Sequence, residues 1–177
     1  MEEMIVEAPV ADQRSLRRVL GHFATGVTVV TVGGDVPHGM TANSFTAVSL
    51  DPPLVLFCVG HTALMHAALL EAPAFGVSVL AADQEAVARY FADRDRPFGA
   101  EEFASVDWLP GARTGTPLIA GATAHLECVP WRTYDGGDHT IFLGRLLTAG
   151  SRPDEDALLF LRGRFHQLRP TTSDVIG

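Results

Sequence analysis

The chain has 177 residues, 47% of them apolar and 19% charged, which points to one globular domain with a substantial core and excludes a disordered chain. Its formal net charge of −8 argues against a general nucleic-acid role. All 13 basic residues are arginine, so Schiff-base chemistry and a phosphate-loop lysine are ruled out.

Two isolated cysteines, Cys58 and Cys128, each sit in an apolar stretch without metal or redox spacing. They read as buried thiols in a reducing compartment. No apolar run approaches the roughly 18 residues of a membrane span, and Met1-Glu2-Glu3 is unlike a signal peptide. The expectation is a cytoplasmic protein with neither membrane nor nucleic acid as partner.

Residues 1–9 read as a loose acidic tail. Asp12 can cap a helix that carries Leu16, Val19, Leu20 and Phe23 on one face. Arg14, Arg17 and Arg18 leave that helix elsewhere, toward solvent or toward a cofactor phosphate, with the solvated face preferred. Val27–Val32 is a β-branched strand, Gly33-Gly34-Asp35 a turn, and Pro37–Thr41 the return strand.

The stretch His38–Val59 organises the rest. Its first half is small and hydroxylated, through Gly39, Thr41, Ala42, Asn43, Ser44, Thr46 and Ser49. Such residues admit a flat ligand close to the backbone and offer donors. After the turn Asp51-Pro52-Pro53, Leu54–Val59 reads as a buried strand. Spacing alone leaves a ligand ledge and an ordinary β-meander equally open.

Thr62 is the expected N-cap of a helix over about 63–71, whose N-terminus is a natural anion site. Phe75–Leu80 is a strand. A second helix runs from Asp83 to about Phe91, with Val87, Tyr90 and Phe91 inward. Arg96, in the charged loop that follows, is either a phosphate contact or an ion pair with Asp93 or Asp95. Residues 99–121 read as an irregular, partly mobile excursion. Ala122–Trp131 is a strand with His125 and Glu127 on a solvent or partner face. Thr133–Asp138 is a turn and His139–Ala149 a long strand. Ser151–Asp156 is an acidic turn, followed by short segments at 158–161 and 163–168 and a tail at 170–177. The barrel proper is expected over about 12–168 of a single domain, 1–177. Many strands with a few helices fit a closed or split barrel.

The chain has no GxGxxG, GxSxG or HExxH. Its seven histidines show no metal spacing, and His61 and His66, five apart, do not share a helix face. No metal site is expected.

The segment TANSFTAVSLDPPLVLFCV resembles the signature of the short-chain flavin reductase family, the reductase components of two-component flavin-dependent monooxygenases. GVTVVTV, FGVSVLAADQ, AHLECV, GDHTIFLGRL and GRFHQL resemble that family in the same order, from about Leu16 to Leu168. The resemblance implies a mainly β protein with a few helices, an FMN-binding split β-barrel, and a homodimer with its flavin site near the subunit interface. It implies hydride transfer from NADH, with NADPH the alternative, to freely diffusing FAD, with FMN the alternative. A separate flavin-dependent monooxygenase would receive the reduced flavin by diffusion.

By the same resemblance Met40, Thr41, Ala42, Asn43 and Ser44 meet the flavin ring and ribityl chain. Ser49 and Leu50 lie farther along, and Cys58, Val59 and Thr62 line the ribityl–phosphate side. Arg96 is a further cofactor contact. His139, in the Gly137-Asp138-His139 motif, sits on the nicotinamide side as the catalytic candidate, and His166 lies near the cofactor mouth. Two rival readings are a split-barrel enzyme with retained FMN acting on its own substrate and a non-catalytic flavin-binding barrel.

Overall fold

The structure is a computed structural model and describes residues 12–168. The tails expected over residues 1–9 and 170–177 lie outside the described residues. The elements in chain order are α1 (Gln13–Leu20), β1 (Thr25–Gly26), β2 (Thr28–Val32), β3 (His38–Ala42), β4 (Thr46–Leu50), β5 (Pro53–Gly60), α2 (Leu64–Glu71) and β6 (Phe75–Val79). There follow α3 (Glu85–Ala92), a short 3-10 helix (Gly99–Phe103), β7 (Trp108–Pro110), β8 (Pro117–Ile119), β9 (Ala124–Asp135), β10 (His139–Ser151), β11 (Leu159–Leu161) and β12 (Arg164–His166). No helix among the described residues is long and apolar enough to cross a membrane.

Seven strands form one antiparallel sheet in the order β3-β2-β6-β9-β10-β5-β4. Strand β2 is buried on both faces because its β-branched residues alternate between two cores. Val30 and Val32 join Val55, Phe57, Val59, Phe75 and Phe142 in one cluster, under Met65 and Leu69 of α2. Val29 turns to the opposite face, where Leu80, Phe91, Phe103, Ile119 and Leu158 pack. The first cluster draws on β2 and β3 at one end of the sheet and on β5 near the other, so the sheet curls around it. A smaller sheet, β1-β11-β12, lies beside the second cluster.

Five sequence expectations are corrected here. The stretch 99–121 is folded. Strands β7 and β8 pair, and Phe103, Leu118 and Ile119 are buried anchors. This stretch covers the face of β9 that was assigned to solvent or a partner. His125 Nε2 lies 2.7 Å from the Ile119 carbonyl, and Glu127 is buried, accepting hydrogen bonds from the amides of Arg113 and Thr114 and from the Thr114 hydroxyl.

Strand β9 runs on to Asp135, which shrinks the turn expected at 133–138 to the residues between Asp135 and His139. Thr62 does not cap α2; Ala63 holds the N-cap position without a side-chain bond. Helix α3 starts at Glu85, two residues past the expected Asp83. Gln84 is the N-cap residue, and its side chain instead bridges the Ala81 amide and the Ala120 carbonyl. Because His61 precedes α2, its ring meets that of His66 edge-on at 5.3 Å. No metal-holding cluster forms among the described residues.

Candidate functional site

Strand β3 is an edge strand, and the way its edge is covered fixes the ledge. Glu102, fully buried, accepts from the Gly39 amide, while the Arg96 guanidinium donates to the Gly39 carbonyl. Arg96 Nε lies 2.5 Å from Glu102, and His38 Nδ1 lies 2.8 Å from its other oxygen. The ion pair thus replaces a neighbouring strand at Gly39 and closes an otherwise open edge. One step on, the Thr41 hydroxyl donates to the Ala88 carbonyl of α3 at 2.7 Å. A Cβ on Gly39 would sit 2.5 Å from the Phe91 ring, so glycine is what lets β3 lie against α3.

The ladder between β5 and β10 supplies the second wall. Its register places His139 opposite Gly60 and Ile141 opposite Cys58. The His61 amide donates to the Asp138 carbonyl at 3.2 Å. Residues about eighty positions apart in sequence therefore meet across one ladder rung. The result is a cleft of about 560 Å³ lined by Met40, Thr41, Ala42, Asn43 and Ser44, by Cys58, Gly60, Thr62 and Ala63, and by Arg17, Arg94, Asp138 and His139.

The lining divides into groups engaged within the protein and groups left for a ligand. The Thr41 hydroxyl is held by Ala88, and the Ser44 hydroxyl accepts from the Cys58 amide at 2.9 Å. Asn43, Thr62, Arg17 and Arg94 also line the cleft, and their side chains make no hydrogen bond to another of the described residues. His139 Nδ1 lies 2.6 Å from the Asp138 carboxylate. This hydrogen bond, followed by the charge of the imidazole, holds the Asp138 carboxyl below its ordinary range; Arg17 contributes less. With Nδ1 engaged, Nε2 lies on the Gly60 side, 3.6 Å from where a glycine-replacing Cβ would sit. Donors thus predominate in the lining, beside the Asp138–His139 pair, a set that suits an anionic, hydrogen-bond-accepting ligand.

Of the residues named from sequence, Met40 to Ser44, Cys58, Thr62 and His139 line this one cleft. The others lie elsewhere. The Val59 side chain belongs to the core. Ser49 accepts from the Asp51 amide in the β4–β5 turn, and Leu50 is 93% exposed beside it. His166 is on β12 in the small sheet. Arg96 does form an ion pair, with Glu102 in place of Asp93 or Asp95, and this holds its guanidinium inside the protein.

Arg17, for which the solvated face was preferred over a cofactor phosphate, lines the cleft, and so does Arg94, which was not singled out. Arg94 and Arg96 alternate along the loop after α3, one toward the cleft and one into the buried pair. Cys128 is buried, and burial followed by the Glu127 charge pushes its thiol up to about 12, leaving it inert.

Residues 20–169 match the family described as Flavin reductase like domain. The chain is 58% identical over 163 residues to the NADH-dependent FAD reductase of Streptomyces globisporus, covering 92% of this chain and 90% of that protein. It is 40% identical to the reductase subunit of a flavin-dependent monooxygenase of Rhodococcus jostii, over 93% of this chain and 83% of that one. Among solved structures, the NADH:FAD oxidoreductase of Streptomyces globisporus in complex with NAD and FAD fragments superposes with a TM-score of 0.91 at 54% identity, covering 96% of this chain and all of that one. The flavin reductase component of a bacterial two-component tryptophan halogenase superposes with a TM-score of 0.87 at 59% identity, covering 90% of this chain and all of that one. A match over most of the chain, and relatives this similar over nearly their whole length, establish that this chain belongs to the flavin reductase-like family.

Proposed function

We propose that the protein reduces freely diffusing FAD with NADH, and that a separate flavin-dependent monooxygenase takes up the reduced flavin. FMN is the alternative acceptor and NADPH the alternative donor. The observation that carries this reading is the cleft itself, which joins the Met40–Ser44 ledge to His139 through the β5–β10 ladder. Relatives named for NADH-dependent FAD reduction and for the reductase subunit of a monooxygenase support it.

A bound flavin supplies the hydride-accepting chemistry. The chain's own residues bind and orient. The backbone of Met40–Ala42 and the Asn43 amide border the ring. Thr62 and Ala63, at the N-terminus of α2, hold the phosphate with Arg17 and Arg94, where free amides and the helix dipole favour an anion. His139 faces the nicotinamide side. Asp138, bonded to Nδ1, fixes the ring orientation so that Nε2 can bond the nicotinamide amide or hold a proton.

The fold is read as a split barrel, which the curl of the sheet around one core supports. Helix α1 and the turn after it present Val19, Leu20 and Phe23 at 49%, 64% and 79% exposure, an apolar stripe largely open among the described residues. A second copy of the chain is the cover proposed for that stripe.

The direct test is NADH consumption with FAD and FMN each added in turn. Saturable dependence on added flavin is expected. NADH oxidation that ignores added flavin would overturn the reading.

A further inference from the structure

Between Leu64 and Leu70, helix α2 carries one polar side chain, that of His66. His66 Nε2 lies 2.8 Å from the Thr140 hydroxyl of β10, and its ring packs edge-on against Phe142. Among the described residues this is the one side-chain hydrogen bond that α2 makes. Thr140 and Phe142 share a face of β10, and His139, by the alternation of a strand, takes the opposite one and lines the flavin cleft. The residue that His66 grips is thus the immediate neighbour of the residue assigned to the nicotinamide side.

The tie joins the two ends of the cleft. Helix α2 begins without a side-chain cap at Ala63 and without an acidic residue in its first turn. An uncapped first turn is the part of a helix that frays most readily. His66 stands in that turn, its amide bonded to the Ala63 carbonyl at 2.9 Å, and Thr62 and Ala63 line the cleft just before it. At the other end the chain reaches His139 through Gly136 and Gly137, the latter at a φ of 83°. One backbone bond, from the His61 amide to the Asp138 carbonyl at 3.2 Å, joins this corner to the segment before α2. The two ends are not held equally. Met65 and Leu69 root α2 in the core at 0% and 2% exposure, whereas Asp138 and His139 are exposed. Slack at the tie is therefore taken up at the Asp138–His139 corner.

We propose that His66 is a positioning residue for hydride transfer: by holding Thr140 it keeps His139 in register with the N-terminus of α2, and so keeps the nicotinamide in register with the flavin. The inference rests on the reductase reading above. His66 acts through Thr140 and not on either ring. Hydride transfer falls steeply when the reacting atoms are misplaced, by about 100-fold for roughly 1 Å, so a tie outside the chemistry is read in the rate. Flavin affinity, set by the ledge and the phosphate contacts, does not pass through it.

The test compares the wild-type protein with three variants. His66→Leu keeps the contact with Phe142, His66→Gln offers an amide that donates or accepts in place of Nε2, and Thr140→Val removes only the hydroxyl. Anaerobic stopped-flow mixing with NADH gives the hydride-transfer rate, FAD titration gives the Kd, and hydrogen exchange at the His61 amide reports the corner in the flavin-free protein. His66→Leu should slow hydride transfer about five- to tenfold, with the Kd for FAD within about twofold of wild type. The His61 amide should exchange several-fold faster. His66→Gln should recover most of both losses. Thr140→Val alone should match His66→Leu, so the test does not depend on the leucine variant folding. The two together should be no slower than either, and His66→Leu should cost nothing further in a His139→Ala background. Wild-type hydride transfer in folded His66→Leu or Thr140→Val, equal losses in the leucine and glutamine variants, additive effects of His66→Leu and Thr140→Val, or unchanged exchange at His61 would each overturn the assignment. Failure of the reductase reading would look different, as wild-type protein that oxidises no NADH with either flavin.

Discussion

The Ser44 hydroxyl is closed onto one residue of the neighbouring strand, accepting from the Cys58 amide at 2.9 Å and donating to the Cys58 carbonyl at 3.3 Å. This stitches the β3–β4 connection to β5 and sets where the adjacent Asn43 stands. The two neighbours should therefore respond differently to truncation. Ser44→Ala should lower stability by about 1 kcal/mol, a typical net hydrogen bond, and weaken flavin binding through the displaced loop. Asn43→Ala should weaken flavin binding by about 0.5–1.5 kcal/mol with stability intact. Flavin titrations beside urea unfolding curves check both. Identical behaviour of the two variants would contradict the division of labour.

Arg94 and Arg96 make a second contrasting pair. Arg96→Ala strands the buried Glu102 carboxylate and should destabilise the fold by about 3–5 kcal/mol, the usual result of removing one partner from a buried pair. Arg94→Ala should leave stability unchanged and raise the Kd for flavin. If Arg96→Ala folds with wild-type stability, the ion pair is not what closes the edge of β3.

His139→Ala should leave flavin affinity nearly intact and lower the hydride-transfer rate, or raise the KM for NADH, by about 10- to 100-fold. A fall in kcat would mean an interaction made mainly in the transition state; a change in KM alone would mean lost uniform binding. Asp138→Asn, which keeps the size but weakens the grip on Nδ1, should show a smaller effect of the same kind. Wild-type NADH kinetics in a folded His139→Ala protein would remove the histidine from the mechanism.

Glu127 links the folded excursion to pH. Burial alone would raise its pKa, but the Thr114 hydroxyl and the amides of Arg113, Thr114 and Ala112 outweigh it and leave the carboxyl below its ordinary 4.5. A depressed folded value contributes stability that is fully present above 4.5 and fades as pH falls through the folded value. Glu127→Gln should therefore be less stable than wild type near neutral pH, with the gap narrowing on acidification. Melting temperatures across that range test it. A gap that is constant or widens toward acid would contradict the sign.

The exposed stripe of α1 and the turn after it bears on assembly. Light scattering at micromolar concentration should return twice the chain mass, and Phe23→Glu should return a single-chain mass with the fold retained. A single-chain mass for the wild type would leave the stripe without its proposed cover.

Local pattern made much of this legible. The β-branched run at Val27–Val32 and the strands through Leu54–Val59 and Phe75–Val79 stand where periodicity and turn chemistry put them, whereas spacing alone left Met40–Ser44 open between a ledge and a β-meander. Pairing partners were not legible. Nothing local tells that His139 meets Gly60, or that Glu102 reaches back to Gly39. The same blindness left Arg96 open between ligand and ion pair and passed over Arg94, because alternation along a loop has no fixed period. For 99–121 the glycines and prolines hid a signal that was present: Phe103, Leu118 and Ile119 are apolar anchors a floating loop would not carry. Glu127 was misread for a related reason. A carboxylate beside an apolar strand position looks solvated until the segment that satisfies it is in view.

Reduction of free flavin is tested most directly by turnover without oxygen. A trace of the protein is mixed anaerobically with NADH and a large molar excess of FAD, and the flavin absorbance is followed to its end. The account predicts bleaching of all the FAD in solution, at a rate proportional to the protein added. Bleaching that stopped at one flavin per chain, or that ran no faster than NADH and FAD alone, would contradict it.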